Sequence, residues 1–197
     1  IPLPTTKAQQ NAELFSYICL MKRIVIASDS FKGSLSSQEV ARAAAAGIGK
    51  VWPDCETVCM NIADGGEGTA RTLTEALGGR MVRSGASDPL GRRISAEYGI
   101  VDADGRKTAV IEMSQASGLT LLTPDERNPL QTSTYGTGEM ITDAIGRGCR
   151  RFMVGIGGSA TNDGGCGMLE ALGFRFMDKD GRIITGLCGG RLGEIGS

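Results

Sequence analysis

The chain has 197 residues, 41% of them apolar and 22% charged, which is enough to bury a real core in one large domain or two small ones. Twenty-one basic against 22 acidic residues give a net charge of −1, so there is no electrostatic footprint for nucleic acid or an anionic membrane. Histidine is absent, which excludes from this chain a Ser-His-Asp triad, a Cys-His pair, His-ligated zinc and a histidine general base.

Residues 1–20 hold a single lysine and a short apolar run, a poor signal peptide, and no stretch reaches the 18 apolar residues of a membrane span. The natural start is expected at Met21, with 1–20 an upstream extension outside the fold, because "MKRIVIA" opens at once as a buried strand over 22–27. After the loop "SDSFKGS", Ser36 followed by Glu39 forms a capping-box signature, and strong helix formers run on to Pro53. A second strand is expected over 56–63, then the loop "DGGEG" and a helix over 69–77. Strand, loop and helix repeated twice is the grammar of a parallel α/β layer, whose ligands bind in loops at the carboxyl ends of the strands.

Past residue 80 the pattern alternates and is broken by "DPLG" and "DADG", which suit turns between antiparallel strands. From Gly136 a helix, the strand "RRFMVGI", a glycine-rich run and the helix "GMLEALGF" return. The expected organisation is therefore a first α/β domain over 21–84 and the beginning of a second over 85–197. The chain stops at "GGRLGEIGS" with no helix or strand completed after "DKDGRIITG", as a domain cut short would. Six scattered cysteines are expected to be reduced thiols of a cytoplasmic protein.

Four loops carry candidate chemistry. In "SDSFKGS", Lys32 can reach a phosphate beside Asp29 and Ser30 at a helix start, or the serines only cap that helix. In "ADGGEGT", Asp64 and Glu67 flank Gly65 and Gly66, a composition that suits Mg²⁺ with phosphate oxygens, or an Asx turn before a helix. In "GIGGSATNDGG", Gly155, Gly157 and Ala160 fit the G-x-G-x-x-G/A fingerprint, and Asp178 stands where a ribose-binding acid would, which favours an NAD(P)-dependent oxidoreductase. Asp163 argues against that, because a carboxylate where the pyrophosphate should sit makes sense only beside a divalent cation or as a base. Arg127 in "DERNPL" and the hydroxyls of "STYGTG", Thr137 among them, supply donors for a small carboxylate or merely cap a helix.

Several segments in order, "KRIVIASDSFKGSLSSQEVA", "NIADGGEGT", "DPLGR", "IEMSQASGL", "ERNPLQTSTYGTGEMI" and "VGIGGSATNDGGCGMLEALG", resemble the bacterial two-domain glycerate kinases, and the likeness covers their N-terminal half. The resemblance implies a Rossmann-like three-layer parallel-sheet domain with a second α/β domain inserted, both incomplete here. It implies ATP-dependent phosphorylation of D-glycerate with Mg²⁺, and leaves a homodimer open.

Carried onto this chain, the resemblance makes Asp29, Lys32 and Asp163 catalytic, with Asp163 and Asp64 toward metal. Ser30, Asp64, Gly65, Gly66, Glu67, Arg127, Thr137, Gly157, Gly158, Ser159, Thr161 and Asn162 would bind substrate or phosphate.

Overall fold

The computed structural model describes residues 7, 23–29, 31, 34–62, 65–66 and 68–196. Lys32, Ser30, Asp64, Glu67 and almost all of the N-terminal segment lie outside the described residues. The chain divides into two compact units, Ile1–Ile62 and Ala63–Ser197.

In the first unit, strand β1 (Arg23–Ser28) pairs in parallel with β2 (Glu56–Asn61), and helix α1 (Ser37–Val51) connects them. The helix starts where the sequence places it. The Ser36 hydroxyl accepts from the Glu39 amide at 3.3 Å, and the Glu39 carboxylate accepts from the Ser36 amide at 2.8 Å. Two of the amides that every helix start leaves unpaired are thereby satisfied. The same bonds hold the Glu39 carboxyl below its ordinary range, led by that from the Ser36 amide. Ser37 Oγ donates to the Ser28 carbonyl at 2.6 Å, tying the helix start to the end of β1.

The second unit is built on a four-stranded sheet in the order β3 (Arg80–Ser87), β4 (Arg93–Ala103), β5 (Arg106–Glu112), β6 (Arg151–Gly155). β3, β4 and β5 are antiparallel, and β6 joins β5 in parallel, Thr108 opposite Arg151. Both expected turns form. Asp88 accepts from the Leu90 and Arg92 amides, each at 2.9 Å, and closes the first. Asp104 (φ 55°) and Gly105 (φ 69°) make the second, the pair of positive φ values that a tight two-residue hairpin requires.

Helices cover both faces of this sheet. Helix α2 (Thr69–Ala76) lays Ala70 and Leu73 against Val101 and Val110. Helices α3 (Ser114–Ser117) and α4 (Tyr135–Gly146) lie on the other face, where Met140, Ile141 and Ala144 meet Tyr98, Ile100, Ala109 and Ile111. Each fully buried aliphatic side chain of this core contributes roughly 1.5–3 kcal/mol relative to exposure. A short helix α5 (Cys166–Ala171) follows β6, packs on α4, and precedes the small hairpin β7 (Phe176–Met177) and β8 (Ile183–Ile184).

The mixed α/β class is as expected, but the division of the chain is not. The change of pattern near Ser84 is not a boundary: α2 and β3 belong to the second unit, because the apolar stripe of α2 is buried by β4 and β5. The 178–186 segment completes a hairpin, and among the described residues no further strand or α-helix follows it. Ile183–Ile184 pairs with Phe176–Met177, and a 3₁₀ turn spans Gly189–Glu194.

One glycine shows how tightly α2 seats. The Thr74 hydroxyl, which donates to the Ala70 carbonyl at 2.5 Å, occupies the space that a Cβ at Gly99 would need. Gly99→Ala is expected to destabilise the second unit by about 1–3 kcal/mol through overpacking. Adding Thr74→Ala should recover part of that loss, as read from urea denaturation midpoints.

Candidate functional site

The glycine-rich run after β6 is stitched on three sides. The Met113 amide donates to the Gly155 carbonyl at 3.0 Å, the Leu119 amide to the Gly158 carbonyl at 2.9 Å, and the Ala160 amide to the Ser117 carbonyl at 2.8 Å. Gly157 donates to the Gly65 carbonyl at 3.0 Å, and Thr132 Oγ1 donates to the Ala160 carbonyl at 2.8 Å. The segments "ADGGEGT", "IEMSQASGL" and "GIGGSATNDGG", far apart in sequence, thus share one backbone network.

The glycines have a packing reason. A Cβ at Gly155 would lie 2.6 Å from the Gly65 carbonyl oxygen, and one at Gly157 would lie 2.8 Å from the Gly66 Cα. No side chain fits where two backbones approach so closely. Gly158 supplies a positive φ of 74° at the turn. Ser159 and Thr161 bond one another through their hydroxyls at 3.0 Å, while Asn162 is exposed. Thr137, in the first turn of α4, is buried with its hydroxyl 2.7 Å from that of Ser117.

Asp163 is 1% exposed and is the acceptor on which this corner closes. Its Oδ2 accepts from the Thr134 amide at 2.7 Å, Thr134 Oγ1 at 2.8 Å, the Gly167 amide at 3.2 Å and Ser133 Oγ at 3.4 Å. Its Oδ1 accepts from the Gly165 amide at 3.1 Å. Thr134 Oγ1 in turn accepts from the Met168 amide at 2.9 Å. One carboxylate therefore joins the start of α4 to the start of α5, where backbone amides and hydroxyls donate to it. A carboxylate so engaged holds this corner of the fold in place. Among the described residues no group of three or more Cys, Asp or Glu side chains is placed to hold a metal ion.

The amide at the start of α2 is met in the same way. Glu112, 2% exposed at the end of β5, accepts from the Ala70 amide at 2.6 Å. Asp178 closes a tight turn by accepting from the Asp180 and Arg182 amides at 2.8 and 2.9 Å, which accounts for it without a ribose. Arg127 is exposed, and its guanidinium makes no hydrogen bond or ion pair among the described residues. Asp29 belongs to the first unit.

The second unit also holds a cleft of about 260 Å³ that the sequence reading missed. Its walls are the 88–91 turn with Ser87, the residues Gln131, Ser133 and Tyr135, and the 186–188 segment ending in Cys188. Ser133 belongs to both features, since its hydroxyl also reaches Asp163. The signal was present in the collinear segments "DPLGR" and "ERNPLQTSTYGTGEMI", but the first reads as a hairpin turn and the second as a helix cap.

A model described as the glycerate kinase family matches residues 24–197. The chain belongs to that family. Glycerate kinase of Haemophilus influenzae is 48% identical over 173 residues, covering 88% of this chain and 45% of the relative. Glycerate kinase of Bacillus subtilis is 49% identical over 175 residues, covering 89% and 45%. A protein named glycerate 2-kinase from Escherichia coli is 46% identical over 173 residues, covering 88% and 45%. The crystal structure of a Salmonella typhimurium LT2 protein, assigned provisionally as glycerate kinase 2, superposes with a TM-score of 0.65 at 48% identity, over 83% of this chain and 43% of that one. The chain spans about half the length of the glycerate kinases it matches. Nothing in these matches favours the oxidoreductase reading of Gly155, Gly157 and Ala160.

Asp163→Ala would leave five donors facing a void. It is expected to destabilise the second unit by about 2–5 kcal/mol. Asp163→Asn, which can keep the bonds to one oxygen and lose that from Gly165, should cost markedly less. Urea titrations of the two variants check the order, and equal stability of both with the parent would refute a holding role.

Proposed function

We propose that the chain is the N-terminal part of an ATP-dependent kinase that phosphorylates a hydroxyl group of D-glycerate. The observation that carries this reading is the identity of nearly half of all positions, over 173–175 residues, with relatives named glycerate kinase. The absence of histidine fits it, because phosphoryl transfer needs positioning and charge neutralisation more than a neutral-pH base.

In this reading the 155–162 loop and the Gly65–Gly66 backbone line the phosphate side, offering amides and the hydroxyls of Ser159 and Thr161. Mg²⁺ accompanies ATP, held by phosphate oxygens. Asp163 fixes the loop from which those donors project, and the role of metal ligand or base that the resemblance implies for it belongs to the same proposal. The contacts that the resemblance implies for Asp29, Ser30, Lys32, Asp64 and Glu67 belong to the same proposal, as does a cytoplasmic location. The name of the Escherichia coli relative supports the 2-hydroxyl as acceptor.

The test is ³¹P NMR of the purified chain with Mg·ATP and D-glycerate. A new phosphomonoester resonance with equimolar ADP is expected only when both substrates are present, and its proton coupling identifies the hydroxyl. ADP release indifferent to D-glycerate, from a cooperatively folded sample, would refute the reading.

A further inference from the structure

The geometry points to the cleft between the 88–91 turn, the 131–135 segment and the 186–188 segment as a site for a small hydroxy acid. It rests on the kinase reading, of which it would be the acceptor side. Four observations carry it.

The first is size. At about 260 Å³ the cleft lies near the lower end of the roughly 300–1,000 Å³ of ligand sites and has room for a three-carbon acid.

The second is the set of donors. The Gln131 side-chain carboxamide and the Tyr135 phenol make no hydrogen bond among the described residues, and Tyr135 is 39% exposed. Ser87 is 8% exposed; its hydroxyl receives one long contact, 3.5 Å from Arg93, and its proton has no acceptor among the described residues. A buried hydroxyl with an unused proton in a cleft wall is suited to an acceptor brought by a ligand.

The third is charge. Asp88 lies in the wall at 3% exposure, already bonded to Arg92 at 2.5 Å, and Arg93 is engaged by Glu139. No unpaired cation among the lining residues would attract a polyphosphate, so uncharged donors must recognise the occupant. Hydroxyls and one carboxylate of a three-carbon acid match such donors. Arg127 is not among the lining residues, so the expected guanidinium clamp is replaced here by hydroxyl and amide groups.

The fourth is continuity. Ser133 lines the cleft and bonds Asp163, and the Tyr135 amide donates to Ser133 Oγ at 3.3 Å. The same knot that fixes the glycine-rich loop thus fixes this wall, which sets an acceptor and a phosphate loop in one rigid frame.

Cys188, half-buried in the wall, provides a reporter. Alkylation of Cys188 by iodoacetamide would be followed by peptide mass spectrometry, with exposed Cys59 as the internal standard and D-glycerate binding measured in parallel by calorimetry. D-Glycerate at ten times its Kd is expected to slow Cys188 alkylation by about tenfold, since only unliganded protein reacts, and to leave Cys59 unchanged. Tyr135→Phe and Gln131→Ala, which remove groups with no bond in the fold, should each weaken D-glycerate binding by about threefold to tenfold.

If calorimetry shows binding while Cys188 reacts at its unliganded rate and both variants bind like the parent, the cleft assignment is overturned and the kinase reading stands. If D-glycerate neither binds nor becomes phosphorylated, both fall.

Discussion

A buried carboxylate with five donors around it governs the second unit. Among the described residues Asp163 closes no ion pair; it is met by backbone amides and hydroxyls at the starts of α4 and α5. Burying such a group alone would be prohibitive, and replacing hydration by several charge-assisted hydrogen bonds is what makes it tolerable. Once the charge is placed, little else in the corner is free to move. Thr134 must point inward to donate, Met168 must present its amide to Thr134, and Ser133 must turn toward the same oxygen.

Two consequences follow for function. The loop between β6 and α5 is held by contacts within the protein, so in the proposed kinase reading the donors of Ser159, Thr161 and the neighbouring amides are set before a phosphate arrives. Such preorganisation is the form that electrostatic catalysis takes when the protein supplies no covalent chemistry. The Ala70 amide at the start of α2 is met by Glu112. The closeness of Gly155 and Gly157 to the Gly65–Gly66 backbone adds a second fixed point, so the two glycine loops form one surface within the second unit.

Much of this was legible in the sequence, and the rest was hidden for identifiable reasons. The Ser36–Glu39 capping box, both turns at Asp88 and Asp104, and every strand of more than two residues follow from local patterns, which act over a few residues and leave a direct trace. The boundary between units did not follow, because whether α2 packs on the first sheet or the second depends on which strands bury Ala70 and Leu73, and an apolar stripe does not name its partner. The glycines of "GIGGSATNDGG" were assigned to a dinucleotide because that fingerprint and a close backbone crossing demand the same residue. The acid at its end revealed that something other than pyrophosphate sits there. What sits there is a set of the protein's own donors, three of them about thirty positions earlier in the chain, and such long-range pairing has no signature in one sequence. The cleft was missed for the same reason, since its walls come from three separated segments.

Native-state hydrogen exchange of the Thr134, Gly165 and Gly167 amides tests the central claim most directly, because all three donate to Asp163. If the carboxylate is the fixed point of the unit, these amides exchange only through the opening that releases core amides of β5 such as that of Ile111, and with the same free energy. Exchange at the rate of an exposed loop, while β5 remains protected, would contradict the account.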